Sequence, residues 1–262
     1  MMLNIVVPMA GRGSRFATAG YTTPKPLIEI HGVPMIKAVI ENLCPACPHR
    51  FIFLCLKEHI DNFRIDRHLE AWAPGCEVVA VDQVTEGAAC TVLLARQFID
   101  SSDPLMIANC DQWVDVDIND YLAHLDQAEL DGLIMTMSAD DPKWSFVRFD
   151  PEGEVCEVVE KQVVSNEATV GIYNFRRGAE FVWAADRMIA KELRVNGEFY
   201  VAPAYNELIS VGKRLGVYNV GSEGKGMYGL GIPADLERFC SAPVSQKAVA
   251  FAGTLSSAVK AG

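Results

Sequence analysis

The sequence predicts an α/β fold, a mixed and mostly parallel central sheet flanked by helices. Three observations lead there. Short apolar runs rich in β-branched residues recur at 4–8, 51–56 (FIFLCL), 77–81 (EVVAV), 104–108 (PLMIA) and 132–137 (GLIMTM). Between them, residues 34–44, 57–72, 87–99 and 117–128 space their apolar side chains at helical intervals. Strands apolar on both faces, alternating with helices, are the pattern of a parallel sheet covered on both sides. At 262 residues and 50% apolar composition, the chain is large enough to bury such a core in one domain.

The first strand runs into Gly11-Arg12-Gly13-Ser14-Arg15. Gly11 and Gly13 let the backbone turn sharply and leave its N–H groups bare, while Arg12 and Arg15 add fixed positive charge. No acidic residue occurs between Asn4 and Glu29. At the carboxyl end of a parallel strand, where ligands of such sheets bind, this loop suits an anion, phosphate first. Taken alone, a lone Gly-x-Gly is more often only a tight turn with solvent-facing arginines. It matches neither glycine fingerprint for nucleotides: Gly-x-x-x-x-Gly-Lys-Ser/Thr is absent, and Phe16 stands where Gly-x-Gly-x-x-Gly needs its last glycine.

The helix at 34–44 ends among Pro45 and Pro48. Cys44-Pro-Ala-Cys47 has metal spacing and His49 lies near, but no second ligand pair completes a zinc site. Cys55, Cys90, Cys110 and Cys156 sit singly in apolar segments, as reduced cysteines do. His31, His59, His68 and His124 are expected on exposed or half-buried faces. Beyond residue 140 the texture changes to alternating pieces, FVRFD, EVCEVVEK and TVGIYNF, read as an antiparallel addition closing over the same sheet edge. Helical stretches follow at 178–192 and 199–212. These strands are too few to bury a core alone, so 1–240 reads as one domain and 241–262 as a C-terminal tail.

With 23 basic and 34 acidic residues the formal charge is −11, which opposes non-specific binding to nucleic acid or to an anionic membrane. A phosphate site must therefore be a local basic pocket. No apolar run reaches the roughly 18 residues of a membrane span, and the start lacks a signal-peptide core, so the expected location is the cytoplasm.

Read together, PMAGRGSRF (8–16) and TTPKPLIEIHGVPMI (22–36) resemble the signature of the sugar-phosphate nucleotidyltransferases, the NDP-sugar pyrophosphorylase family. The resemblance continues through DQVTEGAACTVLLA (82–95), NCDQW (109–113), VVEK (158–161), VGIYNF (170–175), NGEFYV (196–201) and GLGIPADLERF (229–239), covering about residues 3–240. It implies a Rossmann-like nucleotidyltransferase fold and the reaction NTP + R-phosphate → NDP-R + pyrophosphate. Residues 1–140 would then hold the nucleotide and 141–240 the acceptor.

Carried over by position, the resemblance puts Ala10, Gly11, Arg12, Gly13 and Ser14 around the triphosphate, with Arg15 countering charge on the departing pyrophosphate. Lys25 would meet the α-phosphate or the acceptor phosphate. Gln83, Gly87 and Ala88 would read the base, the glycine allowing the backbone close to the ring. Asp111 would hold Mg²⁺. Glu160 would grip the acceptor through hydroxyls or an amine, Lys161 its phosphate, and Trp144 would line its pocket. One position departs: Gly229 stands where the family carries a second metal-binding aspartate, and Glu198 is the candidate replacement on the acceptor side. A pyrimidine triphosphate is favoured, CTP before UTP or dTTP, because Gln83 can both donate and accept beside the backbone at Gly87. Self-association is left open.

The chemistry accounts for these residue types. A phosphate acceptor is already nucleophilic near neutral pH, so no serine, cysteine or histidine has to be activated. What the reaction needs is charge cancellation, which two lysines, an arginine, backbone N–H groups and a metal supply. Two other readings compete. Asp115-Val116-Asp117 is an Asp-x-Asp of the kind that holds metal in glycosyltransferases of related fold, and Gly229 is compatible with a nucleotide sensor without turnover.

Overall fold

The computed structural model describes residues 1–251. Its chain begins with β1 (Leu3–Met9), in which every residue but Pro8 is buried, as a central parallel strand requires. Then come α1 (Ser14–Thr18), a 3₁₀ turn at Lys25–Leu27, the ribbon β2 (Glu29–Ile30) with β3 (Val33–Pro34), α2 (Met35–Leu43) and β4 (His49–Leu56). Helices α3 (Lys57–Phe63) and α4 (Ile65–Trp72) lead to β5 (Glu77–Val81), and α5 (Ala88–Leu93) and α6 (Arg96–Ile99) to β6 (Leu105–Ala108). The second half runs through β7 (Gln112–Val114), α7 (Ile118–Gln127), β8 (Gly132–Ser138), β9 (Ser145–Phe149), β10 (Val155–Glu160), β11 (Glu167–Phe175) and α8 (Gly178–Ala190). It closes with α9 (Tyr205–Ile209), β12 (Leu215–Glu223), β13 (Gly226–Gly229), α10 (Pro233–Ser241) and α11 (Val244–Val249).

One mixed sheet unites them in the order β5-β4-β1-β6-β11-β8-β12-β13-β7. The first four strands are mutually parallel, and β8 and β12 run the same way. The expected antiparallel addition does not close over an edge. Its longest strand, β11, inserts at the centre, antiparallel to both β6 and β8. Its hydroxyls are satisfied within the strand, Thr169 and Tyr173 sharing a hydrogen bond of 3.0 Å. A strand whose hydroxyls pair with each other can be covered on both faces despite an alternating sequence. Only the β9–β10 hairpin remains peripheral, joined to β11 through Ala168 opposite Phe146.

Helices cover both faces. Ile5 and Val7 pack with Ile36, Val39, Leu69 and Tyr121 on one side, and Val6 packs with Val92, Phe181 and Leu208 on the other. The helix expected at 57–72 breaks at Arg64, whose φ is +50°. Pro203 confines the one expected at 199–212 to a 3₁₀ turn followed by α9. The expected tail is structured beyond residue 241: α11 buries Ser245 and Ala248, and the Ser245 hydroxyl lies 2.8 Å from His31 Nε2. Residues 252–262 of that segment lie outside the described residues. His59, expected near the surface, is buried. Among the described residues no helix is long and apolar enough to cross a membrane.

The inserted strand is pinned by Tyr205, fully buried, whose ring stacks on Phe175 at 4.4 Å and whose hydroxyl donates to the Asn174 carbonyl at 2.7 Å. Tyr205→Phe should lower stability by about 1–2 kcal/mol, the usual loss for one buried hydrogen bond. Urea unfolding at unchanged m-value is the check.

Candidate active site

The site is built where β1 and β6 end. After β1 the chain turns through Gly11 and Arg12 to Gly13, which adopts φ +60° and starts α1. Phe16 then buries itself among Ile30, Met35 and Phe239, with Tyr21 edge-on to its ring at 5.2 Å. The residue that spoils the glycine fingerprint is thus the anchor that leaves Gly11, Arg12, Ser14 and Arg15 exposed. Ala10 is buried beneath them. A Cβ on Gly13 would lie 3.2 Å from the Cβ of Lys25, so the Pro-Lys-Pro segment rests directly against the loop.

Lys25 reaches across to Asp111, at the end of β6, with Nζ 2.7 Å from Oδ2. Each side chain is about one-fifth exposed, at 21% and 22%. Burial works against the lysine charge, but the Asp111 carboxylate overcomes it and holds the Lys25 pKa above its ordinary value. The ammonium is therefore permanent at any physiological pH. Gly11, Lys25, Asn109 and Asp111 surround a cavity of about 210 Å³. Backbone also crowds the carboxylate: a Cβ on Gly231 would come within 2.9 Å of Asp111 Oδ2.

A second cavity, of about 180 Å³, shares Asn109 with the first and opens onto the β9–β10 hairpin. Glu160 lies in its wall with a side chain 4% exposed, accepting a hydrogen bond from the Ser145 hydroxyl and lying 3.4 Å from Lys161 Nζ. Burial pushes its carboxyl above the ordinary carboxylate range, against the pull of Ser145 and Lys161. Lys161 occupies the left-handed region at φ +57°, unusual for a lysine, and its N–H donates to the Trp144 carbonyl at 3.0 Å. Its ammonium lies 5.0 Å from the centre of the Tyr200 ring. Trp144 lines the same cavity, and Lys143, a residue sequence reasoning passed over, carries its ammonium 4.9 Å above that indole. Gly171 makes room at the floor: at φ +83°, a Cβ there would strike Asn109 Nδ2 at 2.2 Å and Gln112 Oε1 at 2.4 Å.

Gln83 is exposed and Ala88 lines the second cavity. Gly87 also has a packing reason to be glycine. At φ +135° its missing Cβ faces the Phe199 backbone, whose oxygen would lie 2.4 Å away. The glycine thus lets the 82–87 loop close-pack on the 198–200 segment, a pairing completed by Phe199 N–H to Glu86 O and Ala89 N–H to Phe199 O. Thr85 fixes the loop from inside, donating to Gly87 O at 2.9 Å. Glu198 is exposed and its charge acts on Glu160 and Tyr200; it is absent from the cavity that holds Asp111. Gly229 likewise faces Asp235, not Asp111. Among the described residues no three His, Cys, Asp or Glu side chains gather to hold a metal ion. The Asp-x-Asp carboxylates are engaged elsewhere, Asp117 capping α7 by accepting from Asn119 N–H at 2.8 Å and Asp115 pairing with Lys247.

Gly87→Ala should destabilise the fold by about 2 kcal/mol or more, from positive φ and backbone collision together. Thermal unfolding will show it, and a neutral result would mean the loop relaxes freely.

Comparison with known proteins places this architecture. The family model described as nucleotidyl transferase matches residues 5–194. The catalytic subunit beta of mannose-1-phosphate guanylyltransferase from Drosophila pseudoobscura pseudoobscura is 26% identical over 176 residues, 65% of this chain and 47% of that protein. The chain spans about half the length of the curated relatives it matches. The nucleoside-diphosphate-sugar pyrophosphorylase structure from Vibrio cholerae RC9 superimposes with a TM-score of 0.76 at 25% identity, over 91% of this chain and 100% of that one. The inositol-1-phosphate CTP transferase of T. maritima shares the fold at 16% identity, with a TM-score of 0.69 over 95% of this chain and 96% of its own. With the family model starting inside β1 and spanning the glycine loop, Lys25, Asp111 and Glu160-Lys161, the chain belongs to the nucleotidyl transferase family.

Proposed function

We propose that the protein transfers a nucleotidyl group from a nucleoside triphosphate to a phosphorylated small molecule, a sugar phosphate in the first instance, and releases pyrophosphate. The observation that carries this reading is the Lys25–Asp111 ion pair beneath an exposed, basic glycine loop, one shared wall away from a pocket containing Glu160 and Lys161. A nucleotide phosphate chain and an acceptor phosphate would meet at that shared wall. The acceptor pocket supports a polyhydroxylated partner, because Ser145, Thr169, Tyr173, Asn109 and Gln112 offer neutral hydrogen-bonding groups around one carboxylate.

Gly11, Arg12, Gly13 and Ser14 hold the triphosphate, Arg15 offsets charge as it develops on the leaving group, and Lys25 binds the α-phosphate. Lys161 grips the acceptor phosphate and Glu160 its hydroxyls, with Trp144 and Glu198 at the pocket wall and mouth. The attacking oxygen is ionised already, so these residues position reactants and neutralise charge without abstracting a proton. The donor set fits Mg²⁺ provided the nucleotide contributes, since Asp111 is a lone carboxylate and this ion favours oxygens shared with phosphates and water. Bound to Asp111, the ion would neutralise phosphate charge. The base is a pyrimidine, cytosine first, read by Gln83 and the backbone near Gly87 and Ala88; Thr85 and the Phe199 backbone hold that loop at a fixed width.

The test is a matrix of triphosphates against phosphorylated acceptors, read by pyrophosphate release. A pyrimidine triphosphate with a sugar phosphate should turn over fastest; faster use of ATP, or of a guanylyl donor such as the Drosophila relative's name gives, would remove the base assignment. Asp111→Asn should lower turnover by about 100-fold or more at any practical Mg²⁺ concentration. Lys161→Ala should raise the acceptor KM by about tenfold or more and leave the triphosphate KM alone. Equal damage to both constants would take Lys161 out of acceptor binding.

A further inference from the structure

The acceptor cavity carries one more cation than the phosphate of an uncharged sugar needs. Its lining holds two ammonium groups, Lys143 and Lys161, against a single carboxylate, Glu160. Glu160 is already matched within the wall, with Lys161 Nζ 3.4 Å away and the Ser145 hydroxyl donating to it. In the reading above, Asn109, Gln112, Ser145, Thr169 and Tyr173 meet the hydroxyls and Lys161 meets the phosphate. Lys143 is left without a task. In a chain of net charge −11, a surplus cation in a ligand cavity requires a cause.

The local sequence puts Lys143 there. Asp141 organises a tight turn, its carboxylate accepting from the Lys143 N–H at 2.9 Å and its carbonyl from the Trp144 N–H at 3.2 Å. The Trp144 carbonyl in turn accepts from the Lys161 N–H at 3.0 Å, so the two lysines flank one backbone junction. Their charges nevertheless rest on different rings, Lys143 Nζ 4.9 Å over Trp144 and Lys161 Nζ 5.0 Å over Tyr200. The carboxylates beside Lys143 are Glu223 at 3.1 Å and Asp141 at 3.6 Å, and neither lines the cavity. The Lys143 side chain is 47% exposed, and ion pairs at such a site are weak enough to exchange for a ligand. Partial burial works against the lysine charge, but Glu223, Asp141 and Asp235 outweigh it, so the ammonium persists.

We propose that Lys143 determines acceptor specificity by taking a second anion, so that the preferred acceptor is a phosphate monoester that also carries a carboxylate. A sugar acid phosphate is the form that uses the hydroxyl-binding groups as well. The inference rests on the nucleotidyl-transfer reading above. On binding, the acceptor carboxylate replaces Glu223 as the partner of Lys143, while the phosphate stays with Lys161. No covalent bond to Lys143 forms or breaks.

Calorimetric titration of the resting protein, without nucleotide, compares glucuronic acid 1-phosphate with glucose 1-phosphate, which differ only by a carboxylate in place of a hydroxymethyl group. The acid should bind about tenfold more tightly or better. Lys143→Gln should bring the two affinities together, and Glu223→Gln, which frees the ammonium, should widen the gap. A lysine that merely supported the loop would move both ligands alike. Should a variant misfold, the wild-type comparison alone decides. Failure of the acid to bind, equal affinity for the two ligands, or a gap that Lys143→Gln leaves intact would overturn the proposal. The two readings fail separately. Preference for the acid with no pyrophosphate released from any substrate pair keeps the second-anion site and removes the reaction; release of pyrophosphate with no preference for the acid does the reverse.

Discussion

The structure depends on one ion pair. Lys25 and Asp111 are 86 positions apart in sequence, and their 2.7 Å contact is where the loop after β1 and the end of β6 become a single site. A half-buried pair of this kind is weak evidence for stability, since desolvation takes back most of its attraction, and losing one partner leaves the other uncompensated. Its value is preorganisation: an ammonium that stays charged, held at the mouth of a chamber and already oriented. Around it the sequence has removed side chains, at Gly13 on the lysine and at Gly231 on the aspartate, so that backbone can close on both.

The acceptor side follows the same logic of close approach. Gly171 clears the floor for Asn109 and Gln112, Gly87 locks the base-side loop to Phe199, and a left-handed Lys161 is tied by its own N–H to the Trp144 carbonyl. None of these groups needs to be reactive. Holding two phosphates in line is worth roughly 7–11 kcal/mol, a scale at which placement alone does most of the chemistry. The net charge of −11 makes local cations matter more, because the remainder of the molecule repels the substrates that this loop must attract.

Much of this was legible in the sequence because it is local. The apolar runs located β1, β4, β5, β6 and β8, and the glycine loop, Lys25, Asp111 and Glu160-Lys161 stood out as chemistry in a recognisable order. What was illegible is long-range. No local pattern tells that β11 enters the sheet centre, since its alternation is cancelled by a Thr169–Tyr173 hydrogen bond inside the strand itself. Short β7 exists only by pairing with β13, which is itself held by β12. Gly87 announced its importance but not its reason, which sits 112 positions later in the Phe199 backbone. Nor does the motif around Glu198 tell that its charge acts on Glu160 and Tyr200.

The central claim is a single in-line displacement across the Lys25–Asp111 junction, with no covalent nucleotidyl-enzyme. The most direct measurement uses a nucleoside triphosphate whose α-phosphorus is made chiral by sulfur, followed by assignment of configuration in the product. Inversion at phosphorus is the result this account predicts. Retention, the mark of two successive displacements through an enzyme-bound nucleotidyl group, would contradict it.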